Sequence, residues 1–182
     1  MLKNFVVGIL VGVLLVMGGI YYYFASGMAP AATADPPMPF EKKIAAKSLR
    51  AHIGKANIPQ PSVPADETNY VAGVKVYKDQ CAVCHGLPNQ PKPAIADAMF
   101  PRAPYLWKGK GVTDDPASET YWKVANGIRL TGMPAFNQSL NESQLWQVSL
   151  VLAHADQLPD SAKKMLNEPA PATAPLMPAS SK

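Results

Sequence analysis

The stretch Cys81-Ala82-Val83-Cys84-His85 decides how the rest of this sequence is read. Cysteines three positions apart share one face of a helical turn, and a histidine follows the second directly. On such a turn both thiols reach the same edge of a flat macrocycle, and the imidazole is carried beneath its centre. This is the C-x-x-C-H pattern of covalent haem c attachment: Cys81 and Cys84 add to two vinyl groups of one porphyrin, and His85 ligates the iron. Other uses of the cysteines fit less well. A Cys81–Cys84 disulfide or a thioredoxin-like pair has no need of His85, and no βαβ pattern surrounds the motif. A zinc site needs a fourth ligand, usually from a third cysteine or second histidine nearby.

The residue opposite His85 decides what such a haem does: Met/His ligation raises the potential and suits electron transfer, whereas an open iron binds small ligands. Met99, Met133, Met165 and Met177 follow the motif. Met133 has the best setting, in Gly127-Ile128-Arg129-Leu130-Thr131-Gly132-Met133-Pro134, between two expected helices. Gly132 permits close backbone approach and Pro134 stops helix propagation, so the thioether sits on an extended loop that can face the iron. Met99 is the reserve candidate, and His52 and His154 are the residues that bis-histidine ligation would require.

Toward the N-terminus, Phe5–Phe24 is twenty residues without a charge, ending in Tyr21-Tyr22-Tyr23. At about 1.5 Å per residue it spans a hydrocarbon core of about 30 Å, with the tyrosines at the interface. Lys3 puts the N-terminus on the cytoplasmic side by the positive-inside rule, exporting everything after Phe24. A cleaved signal peptide, with Ala32-Thr33-Ala34 as the cleavage site, exports the chain equally. The apolar run is longer than a signal usually carries, which favours a retained anchor. Within it, Gly8 and Gly12 have the spacing of a helix-association motif.

The expected organisation is an anchor over 1–28, a tether with a short basic helix over 29–65, a haem domain over 66–158, and an unstructured Pro/Ala-rich tail over 159–182. Residues 25–39 read as an extended tether and Phe40–Ala56 as a helix. Helices are also expected over Tyr70–Gln80, over Glu119–Gly127, and from an Asn141/Gln144 capping box to about Gln157, where Pro159 marks the end. Residues 86–118, with six prolines, read as loop. Lys and Arg number six against two Asp and Glu over 1–65, eight against nine over 66–158, and three against two over 159–182. The net charge of +4 therefore belongs to the N-terminal arm, contrary to a nucleic-acid binder, whose basic patch lies on the folded part. Basic residues just past a span also suit anionic lipid headgroups. Two cysteines exclude a disulfide-rich scaffold.

Over residues 66–158 the sequence resembles the class I c-type cytochromes, in a membrane-anchored bacterial form. The likeness rests on Gly73 and Tyr77 leading into Cys81-x-x-Cys84-His85-Gly86, on Ile128 to Met133-Pro134-Ala135-Phe136, and on a closing helix with Leu145 and Trp146. It implies an all-α fold of three to four helices around one covalent haem c, preceded here by a single transmembrane helix. It also implies a close crossing of the first and last helices, Gly73 against Trp146 or Leu150. Pro104-Tyr105-Leu106 resembles the segment whose proline carbonyl accepts a hydrogen bond from the ligand imidazole, with Pro93 the alternative. Arg102, Trp107 and Arg129 are candidates for the haem propionates, since guanidinium and indole donors suit carboxylates. A domain of about 90 residues buries a modest share of its surface, so without haem it is expected to be largely unfolded.

The expected function is one-electron transfer at the periplasmic face of a bacterial inner membrane, between a redox donor and acceptor, by a carrier that is not itself an enzyme. It would act as a tethered shuttle or as a fixed subunit of a respiratory, photosynthetic or dehydrogenase complex. The alternative is a haem subunit with an open iron, acting as ligand sensor or enzyme component. A single C-x-x-C-H disfavours a two-haem peroxidase.

Overall fold

The computed structural model describes residues 1–107 and 115–168, and all regular structure among them is helical. The chain divides into two compact units, Met1–Ser48 and Leu49–Lys182.

In the first unit, α1 (Leu2–Ala25) is a continuous apolar helix with no buried residue, as its uncharged sequence requires. It is long and apolar enough to cross a membrane. The tether departs from a fully extended form. The Asp35 carboxylate accepts hydrogen bonds from the Ala31 and Ala32 amides, both at 2.8 Å, which closes a local turn of the kind aspartate favours. Those two bonds hold the Asp35 carboxyl below its usual range.

The second unit carries the core. α2 (Glu41–Ile53) ends in it, with Ile53 buried. α3 (Glu67–Val76) starts earlier than expected because the Asp66 side chain caps it, accepting from the Asn69 amide at 2.9 Å. α3 continues through a π-helical turn, Tyr77–Cys81, into α4 (Ala82–His85). A single turn, α5 (Ala94–Asp97), interrupts the proline-rich loop. α6 (Ala117–Asn126) stops at Gly127. α7 (Glu142–Ala153) opens on the anticipated capping box: the Asn141 side chain and Gln144 amide, and the Gln144 side chain and Asn141 amide, each pair at 3.0 Å.

α7 packs against both α3 and α6, which is why seven of its residues, Leu145, Trp146 and Val148–Leu152, are buried. Gly73 sits where α3 and α7 cross, and a Cβ there would run into the Gln147 carbonyl and lie 2.7 Å from Val151 Cγ2. The close crossing is thus present, but its partners are Gln147 and Val151 rather than Trp146 or Leu150. Trp146 stacks instead on Tyr121 of α6, ring centroids 4.2 Å apart.

The expectation of an unstructured tail from residue 159 needs correction. Asp160–Asn167 is a further helix, α8, which packs on α3 and buries Ala162 and Leu166. Pro159 caps its start rather than ending the helix before it, a position proline suits because it lacks an N–H. Lys78 holds its far end, donating to the carbonyls of Met165 at 2.8 Å and Glu168 at 3.1 Å. The rest of the expected tail, with Met177, lies outside the described residues.

Candidate haem-binding site

The π-helical turn delivers the motif. Such a turn holds one more residue than an α-turn, and it directly precedes Ala82–His85. Gly86 then leaves the helix at φ +77°, ψ 179°, a region essentially reserved for glycine. A Cβ there would lie 2.6 Å from the Tyr105 ring.

The Nδ1 atom of His85 lies 2.8 Å from the Pro104 carbonyl oxygen. A carbonyl only accepts, so Nδ1 carries the proton and the Nε2 lone pair is left for a metal. Pro104, not Pro93, makes this contact. Burial pushes the His85 pKa below its ordinary value, partly opposed by the bond to Pro104, which favours the neutral imidazole a metal requires. Cys81 and Cys84 are free thiols without a disulfide. Burial, with Cys84 beside it, pushes the Cys81 thiol up to about 12.

The methionine loop closes on the end of α6. Gly127, at φ +68°, lies against it so tightly that a Cβ would come 2.7 Å from Ala135 N and 2.9 Å from the Met133 carbonyl. The Ile128 amide donates to the Met133 carbonyl at 3.2 Å, and the Phe136 amide to the Val124 carbonyl at 3.0 Å. The Thr131 hydroxyl donates to the Ile128 carbonyl at 2.6 Å and accepts from the Met133 amide at 3.1 Å. Met133 is thereby fixed at its backbone on both sides. Met99 touches the same loop, its Sδ 2.8 Å from where a Gly132 Cβ would stand.

Cys81, Cys84, His85, Met133 and Met99 all line one cavity of about 360 Å³. Its walls are largely apolar, with Leu49, Leu106, Val124, Ile128, Phe136 and Leu152 among them. His52, His154 and Met165 do not line it. The His52 ring lies against Trp122, and His154 Nδ1 lies 3.1 Å from the Leu150 carbonyl. Among the described residues no group of three or more His, Cys, Asp or Glu comes together as a metal-ion site. Two free thiols, an imidazole with one nitrogen available, and thioethers, all around an apolar cavity, are the donor set that haem c requires. The residues fit the group.

The three propionate candidates separate. Arg102 is on the cavity wall, exposed, 3.8 Å from Asp97. Arg129 is exposed and does not line the cavity. Trp107 departs from the expectation altogether: its indole N–H is taken by the Tyr77 hydroxyl at 2.7 Å and the Gly86 carbonyl at 3.1 Å. Sequence reasoning missed Lys123, a half-buried cation on the wall bonded to Asp115 at 2.6 Å and Glu119 at 2.7 Å. Burial alone pushes its ammonium pKa down, but the two carboxylates outweigh that and raise it. The i, i+4 spacing of Glu119 and Lys123 was the available signal.

Comparison with known proteins gives similarities over part of the chain. Residues 68–150, a little under half of the chain, match the family model of cytochrome c oxidase, cbb3-type, subunit III. Over those residues the chain is thus similar to a c-type cytochrome domain. A curated relative, thiosulfate dehydrogenase of Thiomonas intermedia (strain K12), is 26% identical over 112 residues. These make up 62% of this chain but 32% of the relative, so the chain spans about a third of that protein's length. A chain of the reducing HAO-like protein complex of Kuenenia stuttgartiensis is similar at a TM-score of 0.46 and 22% identity, covering 53% of this chain and 47% of that one.

Proposed function

We propose that this protein is a membrane-tethered monohaem cytochrome c that passes single electrons between redox partners at the periplasmic face of a bacterial inner membrane. The observation that carries this reading is the convergence of Cys81, Cys84, His85 and Met133 on one apolar cavity. Cys81 and Cys84 would hold the haem through thioethers, and His85 and Met133 would ligate its iron. The bound group supplies reversible one-electron chemistry at a potential that its surroundings set.

The chain's own residues do the rest. Pro104 keeps the proton on His85 Nδ1 and so fixes both the tautomer and the ring orientation. The Thr131 and Gly127 contacts hold Met133 against the cavity, and a thioether ligand raises the potential. The apolar wall would keep water from the iron, which would favour the less charged reduced state. α1 supports the tether: twenty uncharged residues, wholly exposed, serve no purpose in water but suit lipid.

Partners are redox proteins, as donor and acceptor or as fixed subunits of one complex. The relative named thiosulfate dehydrogenase favours a second reading, in which this domain is the haem subunit that removes electrons from a dehydrogenase. The absorption spectrum of the oxidised protein tests the ligand set. A sulfur–iron charge-transfer band that is lost in Met133→Ala and kept in Met99→Ala supports the carrier. Rapid carbon monoxide binding by the reduced wild type contradicts it.

A further inference from the structure

Four residues that sequence analysis did not connect, Tyr77, Gly86, Pro104 and Trp107, form a closed set of contacts around His85. The buried Tyr77 hydroxyl donates to the Gly86 carbonyl at 2.7 Å. The Trp107 indole N–H donates to the Tyr77 hydroxyl at 2.7 Å and shares the Gly86 carbonyl at 3.1 Å. The Tyr77 and Trp107 rings meet edge to face at 5.1 Å. Three residues before Trp107, the Pro104 carbonyl lies 2.8 Å from His85 Nδ1. Residues 104–107 are therefore pinned at both ends to consecutive residues, His85 and Gly86, and between them by the Tyr105 hydroxyl, which donates to the Leu87 carbonyl at 2.7 Å and the Gln90 carbonyl at 3.1 Å.

The consequence is geometric. Residues 105–107 can carry a segment end by at most about 3.3–3.6 Å each, and a shift of a small part of that exceeds hydrogen-bond tolerance. Tied at both ends, the segment fixes where the Pro104 oxygen stands relative to the imidazole. We propose that Trp107, with Tyr77, is a positioning residue for the axial histidine: it sets the strength of the His85–Pro104 hydrogen bond and, through it, the reduction potential. The inference rests on the haem-carrier reading. A strong bond from Nδ1–H to a carbonyl makes the imidazole a better electron donor, which stabilises oxidised iron. Loosening the tie should raise the potential.

The position of the tie explains its residue types. Tyr77 opens the π-helical turn that ends at Cys81, and it is wholly buried. Its hydroxyl therefore needs both a donor and an acceptor, and Trp107 and Gly86 supply them. Burial pushes the Tyr77 pKa up, so the hydroxyl keeps its proton for Gly86. The indole contributes a donor only, which matches a carbonyl and a hydroxyl that already donates.

The test uses the full-length, haem-loaded protein in detergent, with haem attachment verified by mass before each measurement. Trp107→Phe keeps an aromatic, though smaller, ring and removes the donor. Tyr77→Phe keeps the ring and removes the hydroxyl. Ser149→Ala serves as control, because the Ser149 hydroxyl is buried but bonds only within α7, to the Leu145 carbonyl at 2.7 Å. The expected result is a positive shift of the reduction potential in Trp107→Phe, a smaller one in Tyr77→Phe, and none in the control. The ring N–H of His85 should also exchange with solvent roughly fivefold faster in Trp107→Phe, the factor that loss of an ordinary hydrogen bond gives. Haem-loaded variants that melt at lower temperature with potential and exchange rate unchanged would show a structural role only and overturn the inference. Should Trp107→Phe not mature, an unshifted Tyr77→Phe overturns it just as well. A wild type without covalent haem overturns the carrier reading itself.

Discussion

At the scale of single residues, the sequence displays its chemistry where bonding depends on spacing alone. Cys81, Cys84 and His85 were readable because one helical turn fixes their mutual positions. The place of Met133 on the cavity wall agrees with what its neighbours, Gly132 and Pro134, suggest. The partner of the Trp107 donor was not readable, because it depends on a contact thirty residues back, with Tyr77. Gly127 yields a residue-scale prediction. Its φ of +68° and ψ of −177° cost a residue with a Cβ roughly 1–3 kcal/mol, and that Cβ would press on the backbone of Met133 to Ala135. Gly127→Ala should therefore lower the melting temperature and weaken the sulfur–iron band. A variant with normal stability but an altered band would show that the loop, not the glycine's conformation, governs the ligand.

At the scale of elements, capping and periodicity located the helices well, and tertiary contacts shifted their ends. α7 began where the Asn141/Gln144 box placed it, because a cap is a local hydrogen-bond pattern. Asn141→Ala should cost about 1 kcal/mol, read as a fall in denaturation midpoint at unchanged slope. α8 was missed because proline reads equally as the end of one helix and the start of another. What decides is the packing of Ala162 and Leu166 on α3, which no local signal shows. α6 carries a pH-dependent element in Lys123. Its pKa is raised in the folded state from an ordinary value of 10.5, so the unfolded chain loses this proton first as pH rises. The stabilisation is fully present below about 10.5 and disappears as pH climbs through the raised value. Melting temperature should thus fall above about pH 10.5 in the wild type, and this alkaline component should be absent in Lys123→Met. Equal alkaline slopes in the two proteins would contradict the assignment.

At the scale of the whole molecule, the expected division into anchor, tether and haem domain rests on charge and proline distribution, which report on solvent and stiffness. The extent of the folded part did not. The second unit reaches back to Leu49, a residue of the cavity wall, and forward through α8. Leu166→Ala, at a buried position of α8, should destabilise the haem-loaded protein by about 2–4 kcal/mol, measured by chemical denaturation. An unchanged midpoint would restore the reading of this segment as a dispensable tail.

The central claim is that porphyrin is joined covalently to Cys81 and Cys84, and the intact mass of the protein tests it most directly. Full-length wild type should be expressed in a host competent for cytochrome maturation, extracted from membranes and weighed beside a Cys81→Ala, Cys84→Ala double variant. The account predicts that the wild type exceeds its polypeptide mass by one haem and that the double variant does not. A wild-type mass equal to that of the amino acids alone would contradict it.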